Sequence, residues 1–193
     1  MGRSAKGSAY EREVCGKLSR WWTDNSRDDV FWRSSGSGAR ATTRAAAGRQ
    51  TAGQHGDVAA TDPVGFPLVQ MLTIEIKRGY KAATIHDLLD RKPSAAVQEF
   101  ERFVLQAQAS SEAAGTPYWM LITRRDRREA LAWWGAEMTE ALMGSYCLGP
   151  PPHRFIRVDV PIVGEACGIH GTTLDRWLDW CPPEFFKNGS ETV

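Results

Sequence analysis

The sequence predicts an α/β fold, a central mixed β-sheet flanked by helices. Two observations carry this expectation. Helical and strand-like apolar periodicities follow one another along the chain in the order helix, three strands, helix, strand, which implies layers of the two kinds packed together. The stretch LTIEIKR at 72–78 alternates at the two-residue period of a strand, with Leu72, Ile74 and Ile76 on one face and Thr73, Glu75 and Lys77 on the other. The plainest account of that second face is a half-exposed strand whose Glu–Lys pair meets water, a pair worth at most about 1 kcal/mol. The rest of the chain bears on whether that account is enough.

The elements follow in order. Residues 8–22 predict a helix, because Tyr10, Val14, Leu18 and Trp21 recur at helical spacing behind Ser8, a residue suited to an N-cap. VFWRS at 30–34 is a short strand. Residues 35–56 are small, polar and basic without apolar periodicity, a long loop of the kind that is usually functional or disordered. DVAAT (57–61) and LVQMLTIEIK (68–77) read as two strands joined by the turn DPVG, so that three strands form a meander. A helix follows from about 94 to 114 on the stripe Val97, Phe100, Val104 and Ala107. YWMLIT (118–123) is a buried strand and EALAWW (129–134) a candidate for another, with Trp133 and Trp134 in the core. Beyond about 145 come a proline-bounded strand candidate, GPPPHRFIRVDVPIV, and a short helix in TTLDRWLDWCPPEFF (172–186), stopped by its prolines. The expected organisation is a core at 1–140 with an extension at 141–193 packed on it.

The length of 193 residues is ample for a real core, and an apolar fraction of 42% with 8 tryptophans marks a folded chain. No apolar run is long enough to span a bilayer, and the N-terminal residues carry no secretory pattern, so a cytoplasmic address is expected. The 4 cysteines include no CxxC pair and are expected to be reduced thiols. Cys147, His153, Cys167, His170 and Cys181 offer zinc-ligand chemistry, but at spacings that match no common finger. A net charge of +1 sets up no global field. Between Val30 and Gly56, however, there is no acidic residue, while Arg33, Arg40, Arg44 and Arg49 all fall there, a local basic segment of the kind that lies along a polyanion.

Three acidic positions come together on this layout: Glu11 on the first helix, Asp57 at the start of a strand and Glu75 on the next. Lys77 stands one step along the face of Glu75. If the strands of Asp57 and Glu75 pair through the DPVG turn, the two carboxylates approach at one end of the sheet. Converging carboxylates repel unless a hard divalent cation sits between them, and a neighbouring lysine can orient water and offset phosphate charge.

GD at 56–57 followed by EIK at 75–77 resembles the signature of the PD-(D/E)xK nuclease superfamily, with Gly56 where the pattern often has proline. With KGSAYERE (6–13) and FWRSSGSG (31–38) upstream, the order and character of the motifs are similar to archaeal-type Holliday junction resolvases over residues 5–125. The resemblance implies a restriction-endonuclease-like core and a Mg²⁺-dependent DNA endonuclease, with Mn²⁺ able to substitute. It implies that Glu11, Asp57 and Glu75 hold the metal and that Lys77 is the catalytic lysine. It further implies that Arg12 and Arg33 lie near the phosphate, and that Ser34 and Ser35 open a mobile loop against DNA to which Arg40, Arg44 and Arg49 belong. Branched DNA and a homodimer follow from resolvase activity, since symmetric cutting needs two active sites. Two departures stand out: the loop before Asp57 is longer than in the small archaeal enzymes, and the tail is extra.

Other readings stay open for these residues. Glu11 could close a capping box with Ser8, Glu13 competes with it as the helix ligand, and Arg33 could be a solvated strand end. Gln106 is expected on a solvated helix face. The same chemistry could serve flapped, nicked or duplex DNA, in repair, restriction or phage replication. A non-catalytic DNA-binding module would keep the fold, although it has no need to keep repelling carboxylates together.

Overall fold

The computed structural model describes residues 3–34, 55–89, 97–146, 155–162 and 165–189. The first helix, α1 (Arg3–Trp22), buries Tyr10, Val14, Cys15, Leu18 and Trp22 along one stripe. It begins before Ser8, so Ser8 is an interior residue and not the expected N-cap. The helix ends where Asp24 and Asn25 take positive φ values of 49° and 64°, the left-handed conformation that these short polar residues tolerate.

Strands β1 (Phe31–Arg33) and β2 (Val58–Ala60) pair antiparallel as a separate two-stranded ribbon. Ser19 fastens this ribbon to α1: its buried hydroxyl accepts the Phe31 N–H at 2.9 Å and donates to the Cys15 carbonyl. The expected three-strand meander is not formed. Asp62 accepts the Val64 N–H and caps a 3-10 turn, Pro63–Gly65, and Pro67 then opens the short helix α2 (Phe66–Met71). Residues 68–71, read above as strand, therefore lie in a helix. The prolines start helical turns here, because a proline near a helix N-terminus gives up no hydrogen bond.

β3 (Leu72–Arg78) leads to the one-turn helix α3 (His86–Leu89) and then to α4 (Glu99–Ala114). Gln98 and Glu101 close a capping box at the start of α4, so Val97, counted above in its apolar stripe, lies outside the helix. The chain continues through β4 (Tyr118–Arg124), β5 (Leu131–Gly135) and α5 (Ala136–Tyr146) to β6 (Ile156–Ile162) and β7 (Glu165–Thr173), and ends in α6 (Leu174–Trp180) and α7 (Glu184–Gly189).

The central sheet runs β3-β4-β5-β7-β6, with β3 and β4 parallel and the other neighbours antiparallel. A mixed five-stranded sheet flanked by helices is the expected architecture. Alternation along the strands divides the interior. Trp119, Leu121 and Trp133 face Phe100, Phe103, Val104 and Ala107 of α4. Ile74, Ile76, Met120, Ile122 and Trp134 face the side built by α1, α2, α5, α6 and α7.

The tail is woven into this sheet. β7 lies between β5 and β6, and the Leu174 N–H donates to the Ala130 carbonyl at 2.9 Å. Trp177 packs on Trp21 and Trp134, with ring centroids 5.5 and 6.4 Å away, and the Trp21 indole N–H donates to the Cys181 carbonyl. Cutting the chain after α5 would bare the edge of β5 and remove Leu174, Trp177, Phe185 and Phe186 from the core. Such a fragment should show no cooperative thermal transition by circular dichroism, because a single large core aromatic alone contributes about 3–5 kcal/mol. A sharp melt near that of the full chain would contradict this.

Candidate active site

β3 is an edge strand, and its outer side is taken up by the residues just before β2. The Asp57 N–H donates to the Ile74 carbonyl at 2.8 Å, and Asp57 Oδ2 accepts the Ile76 N–H at 2.7 Å. One residue thus satisfies two edge groups with its main chain and its side chain together, and is 7% exposed as a result. The approach is tight. Gly56 has φ +82°, and a Cβ there would stand 2.7 Å from the Ile74 carbonyl oxygen. Proline, fixed near φ −65°, could not take this conformation, which explains glycine at the position. Ser34, 4% exposed, completes the clamp: its N–H donates to the Asp57 carbonyl at 3.0 Å and its hydroxyl to the Gly56 carbonyl at 2.6 Å. Its polar atoms are committed to the chain beside Asp57, whereas the resemblance puts Ser34 at a DNA-facing loop.

Glu75 projects from β3 toward α4. The half-exposed strand is overturned here, since residues 72–76 are all buried and Glu75 is 3% exposed. Its carboxylate is held by three donors at 2.9 Å: Lys77 Nζ and Gln106 Nε2 on Oε2, and the Ser110 hydroxyl on Oε1. Gln106, expected on a solvated face, is therefore part of the site, and Ser110 was missed. The signal was present, because residues 106 and 110 are four apart and share a helix face bordering the stripe of Phe103 and Ala107. What could not be read is that this edge of α4 overlies Glu75. Lys77, with 15% of its side chain exposed, lies between Glu75 and the Phe103 ring, whose centroid is 6.0 Å from Nζ.

Glu11 approaches from the α1 side. Its Oε2 lies 3.0 Å from Arg33 Nε, an ion pair in which the buried Nε–H is not aligned as a hydrogen bond. Glu13 points elsewhere, more than half exposed and bonded to Arg124 at 2.6 Å. The capping-box reading of Glu11 fails with the helix start, and of the two glutamates it is Glu11 that lies on the Asp57 side. Arg12 is exposed on α1. Ser35, Arg40, Arg44 and Arg49 lie outside the described residues.

The electrostatics follow from burial. Asp57 is pushed up to about 6, first by loss of water and then by the charge of Glu75, against the opposing pull of the Ile76 N–H and Lys77; Glu11 adds a smaller push. Cys15, beneath Glu11 and Asp57, is raised to about 12, mostly by burial, and stays a neutral thiol. Cys181 is likewise a buried free thiol raised well above its ordinary value by burial. Cys147 and His153 of the zinc candidates lie outside the described residues.

Among the described residues no group of three or more His, Cys, Asp or Glu side chains is gathered closely enough to hold a metal ion. Glu11 comes from one side of the sheet, Glu75 from the other, and Asp57 from the edge. A pair of carboxylates is nonetheless a fit for a hard cation, since Mg²⁺ typically uses one or two carboxylates and fills the remaining positions with water and phosphate oxygens. Asp57 meets this test: Oδ2 is occupied by Ile76, Oδ1 takes no hydrogen bond from the described residues, and Glu75 lies close enough for its charge to raise the Asp57 pKa.

An α/β sheet with an aspartate clamped to the edge strand, followed by E-x-K on that strand, defines a PD-(D/E)xK nuclease. A family model described as "Phage putative PDDEXK endonuclease" matches residues 2–147, and the chain belongs to that family. Nucleases of this class generally use divalent metal ions and act on DNA. No curated protein and no solved structure matches the chain. Among the described residues no helix is long and apolar enough to cross a membrane.

The cost of holding Asp57 beside Glu75 is open to measurement. Without metal, Asp57→Asn should stabilise the fold by about 1–3 kcal/mol near pH 7.5, because Asn keeps an acceptor for Ile76 and removes the buried charge. The sign is set by the raised pKa. Above about 6 both folded and unfolded wild type are ionised and the fold bears the whole penalty. As pH falls through about 6 toward 3.8, the ordinary value for an aspartate, the folded protein takes up the proton first and the penalty disappears. The advantage of the Asn variant in thermal melts should therefore shrink across that interval and be gone below it. An advantage independent of pH would refute the buried-charge account.

Proposed function

We propose that this nuclease is a Mg²⁺-dependent DNA endonuclease that hydrolyses phosphodiester bonds by water attack, with branched DNA such as a four-way junction as its preferred substrate. One observation carries the chemistry: Asp57 and Glu75 are buried side by side at the edge of β3 with Lys77 bonded to Glu75, although nothing in the packing requires two carboxylates there. Asp57 and Glu75 would hold the cation, and Glu11 would join through water or substrate. A divalent cation bound there supplies charge to the phosphate oxygens and lowers the pKa of the attacking water.

The residues of the chain do the remaining work. Gln106 and Ser110 fix the Glu75 carboxylate, so that it presents one geometry rather than several. Lys77 orients the water and offsets the negative charge that grows on the phosphate. Arg12, Arg33, Ser35 and the basic loop of Arg40, Arg44 and Arg49 hold the DNA backbone, which gives affinity without reading bases. Ser34 supports the approach to Asp57. Branched DNA is favoured over the flap, nick and duplex alternatives by the motif order shared with archaeal-type resolvases, and two symmetric cuts imply a homodimer. The family match ends at residue 147, which supports a nuclease core near 1–140 completed by residues 141–193.

Incubation with four-way junction, flap, nicked and linear duplex DNA, with Mg²⁺ or chelator, tests this reading. Glu75→Gln should abolish Mg²⁺-dependent cleavage while leaving DNA binding largely intact. Lys77→Met should melt normally, still bind Mn²⁺ by calorimetry, and cleave at a rate lower by roughly a hundredfold or more. Wild-type rates in both variants would overturn the assignment.

The loop is tested separately. Replacing Arg40, Arg44 and Arg49 with alanine should weaken DNA binding and reduce the slope of log affinity against log salt, by up to about 3 for duplex DNA if each arginine meets a phosphate. An unchanged slope would remove the loop from the interface.

A further inference from the structure

We propose that the groove beside Lys77 binds one unpaired nucleotide of the DNA substrate, with the base against the exposed ring of Tyr80 and the phosphate on arginines of the β4–β5 turn. The inference rests on the DNA-nuclease reading above and names the feature of the substrate that the same site would select.

The groove has a volume of about 300 Å³ and lies between the 80–86 segment, α4 and the turn that joins β4 to β5. That volume suits a single nucleotide, at the lower end of the range for small-ligand sites. Tyr80, Phe100, Phe103 and Trp133 contribute to its lining. Tyr80 is 42% exposed and meets Phe103 edge-on at 4.7 Å between ring centroids. Phe100, Phe103 and Trp133 are buried and form the apolar floor of the groove, so the ring offered to a ligand is that of Tyr80. Aromatic side chains in such a groove stack on any base, because every base has a π-face.

The rim is cationic. Lys77, Arg124, Arg125 and Arg128 line the groove with Glu129 as the sole carboxylate among the lining residues. Arg124 is committed to Glu13 and lies over the Tyr10 ring, so the phosphate contact falls to the exposed Arg125 and Arg128. A second concavity of about 490 Å³, formed by Lys81, Arg125, Asp126, Arg127 and Arg128, continues the basic surface outward and gives the adjoining strand a path. Aromatic lining with a basic rim matches the two chemistries of a nucleotide, and neither an acidic peptide nor a lipid headgroup needs both.

The occupant has to be unpaired. A base within a duplex has both faces covered by its neighbours, so only a base at a branch point, in a flap or turned out of the stack can enter. The location fits the chemistry, since the Lys77 ammonium reaches Glu75 at 2.9 Å and stands 6.0 Å from the centroid of the Phe103 ring. A nucleotide in the groove would thus hold the next phosphate of its strand near the paired carboxylates. Selection of branched substrates would then come from the unpaired base, without any reading of sequence.

The experiment measures binding by fluorescence anisotropy, in chelator, to three DNAs of equal length: plain duplex, a duplex with a single-stranded flap, and a single strand. The flap carries 2-aminopurine at the junction. The wild type should prefer flap to duplex and should quench the 2-aminopurine. Tyr80→Ala should lose roughly tenfold in affinity for the flap, and lose the quenching, with duplex binding unchanged. Tyr80→Phe should keep both. Arg125→Ala with Arg128→Ala should weaken flap binding more than duplex binding, and provides the test if Tyr80→Ala does not fold. Equal affinity of the wild type for flap and duplex, or quenching that survives Tyr80→Ala, would overturn the groove assignment. Mg²⁺-dependent cleavage in the same preparations would then leave the nuclease reading standing, whereas failure to bind or cut any DNA would overturn both.

Discussion

Asp57 holds β3 twice, giving its N–H to the Ile74 carbonyl and taking the Ile76 N–H on its carboxylate. An edge strand with unpaired groups of this kind ordinarily needs another strand or solvent to satisfy it. Here a single residue does so, and in the same act its carboxylate is fixed next to the strand that carries Glu75 and Lys77. Gly56 permits the close approach and Ser34 fastens its far side. That contact ties the start of β2 to β3 and sets the Asp57 carboxylate against the strand of Glu75.

The arrangement is electrostatically frustrated. Burial and Glu75 push Asp57 toward its neutral form, while donors from three side chains hold the Glu75 carboxylate in place. A protein optimised for stability alone would not place two carboxylates under so little water, since burying charge without full compensation is costly. Strain of this kind is characteristic of sites arranged to receive a ligand of opposite charge. The penalty is borne by a core that extends to both sides of the sheet.

That core draws on the whole length of the chain. Trp21 at the end of α1 meets Trp177 and Phe186 of the terminal helices, Lys187 lies over the ring of Trp22, and β7 completes the hydrogen bonding of β5. α1 is therefore held near its C-terminal end both by the tail and by Ser19, which accepts the Phe31 N–H of β1. The same helix carries Glu11, which meets Arg33 of β1. Residues far from the site in sequence thus contribute to its geometry through packing, without touching it.

Much of this was legible in the residues. The α/β class, β1, β2, β4, β5, the apolar stripes of α1 and α4, and the candidate set Glu11, Asp57, Glu75 and Lys77 follow from periodicity and motif order, which are local properties. The misreadings have local causes too: Pro67 opens a helix that takes in residues 68–71 where alternation suggested strand, and α1 begins before its apparent cap. α5, β7 and α7 were not read at all: β7 is rich in glycine and threonine, α7 has only six residues, and neither these nor α5 shows a clear apolar period. Tertiary structure alone decided that β3 is covered on both faces, that Gln106 and Ser110 reach Glu75, and that Glu13 turns away to Arg124. Each depends on which segment lies over which, and that is settled by packing between residues far apart in the chain, which no local pattern records.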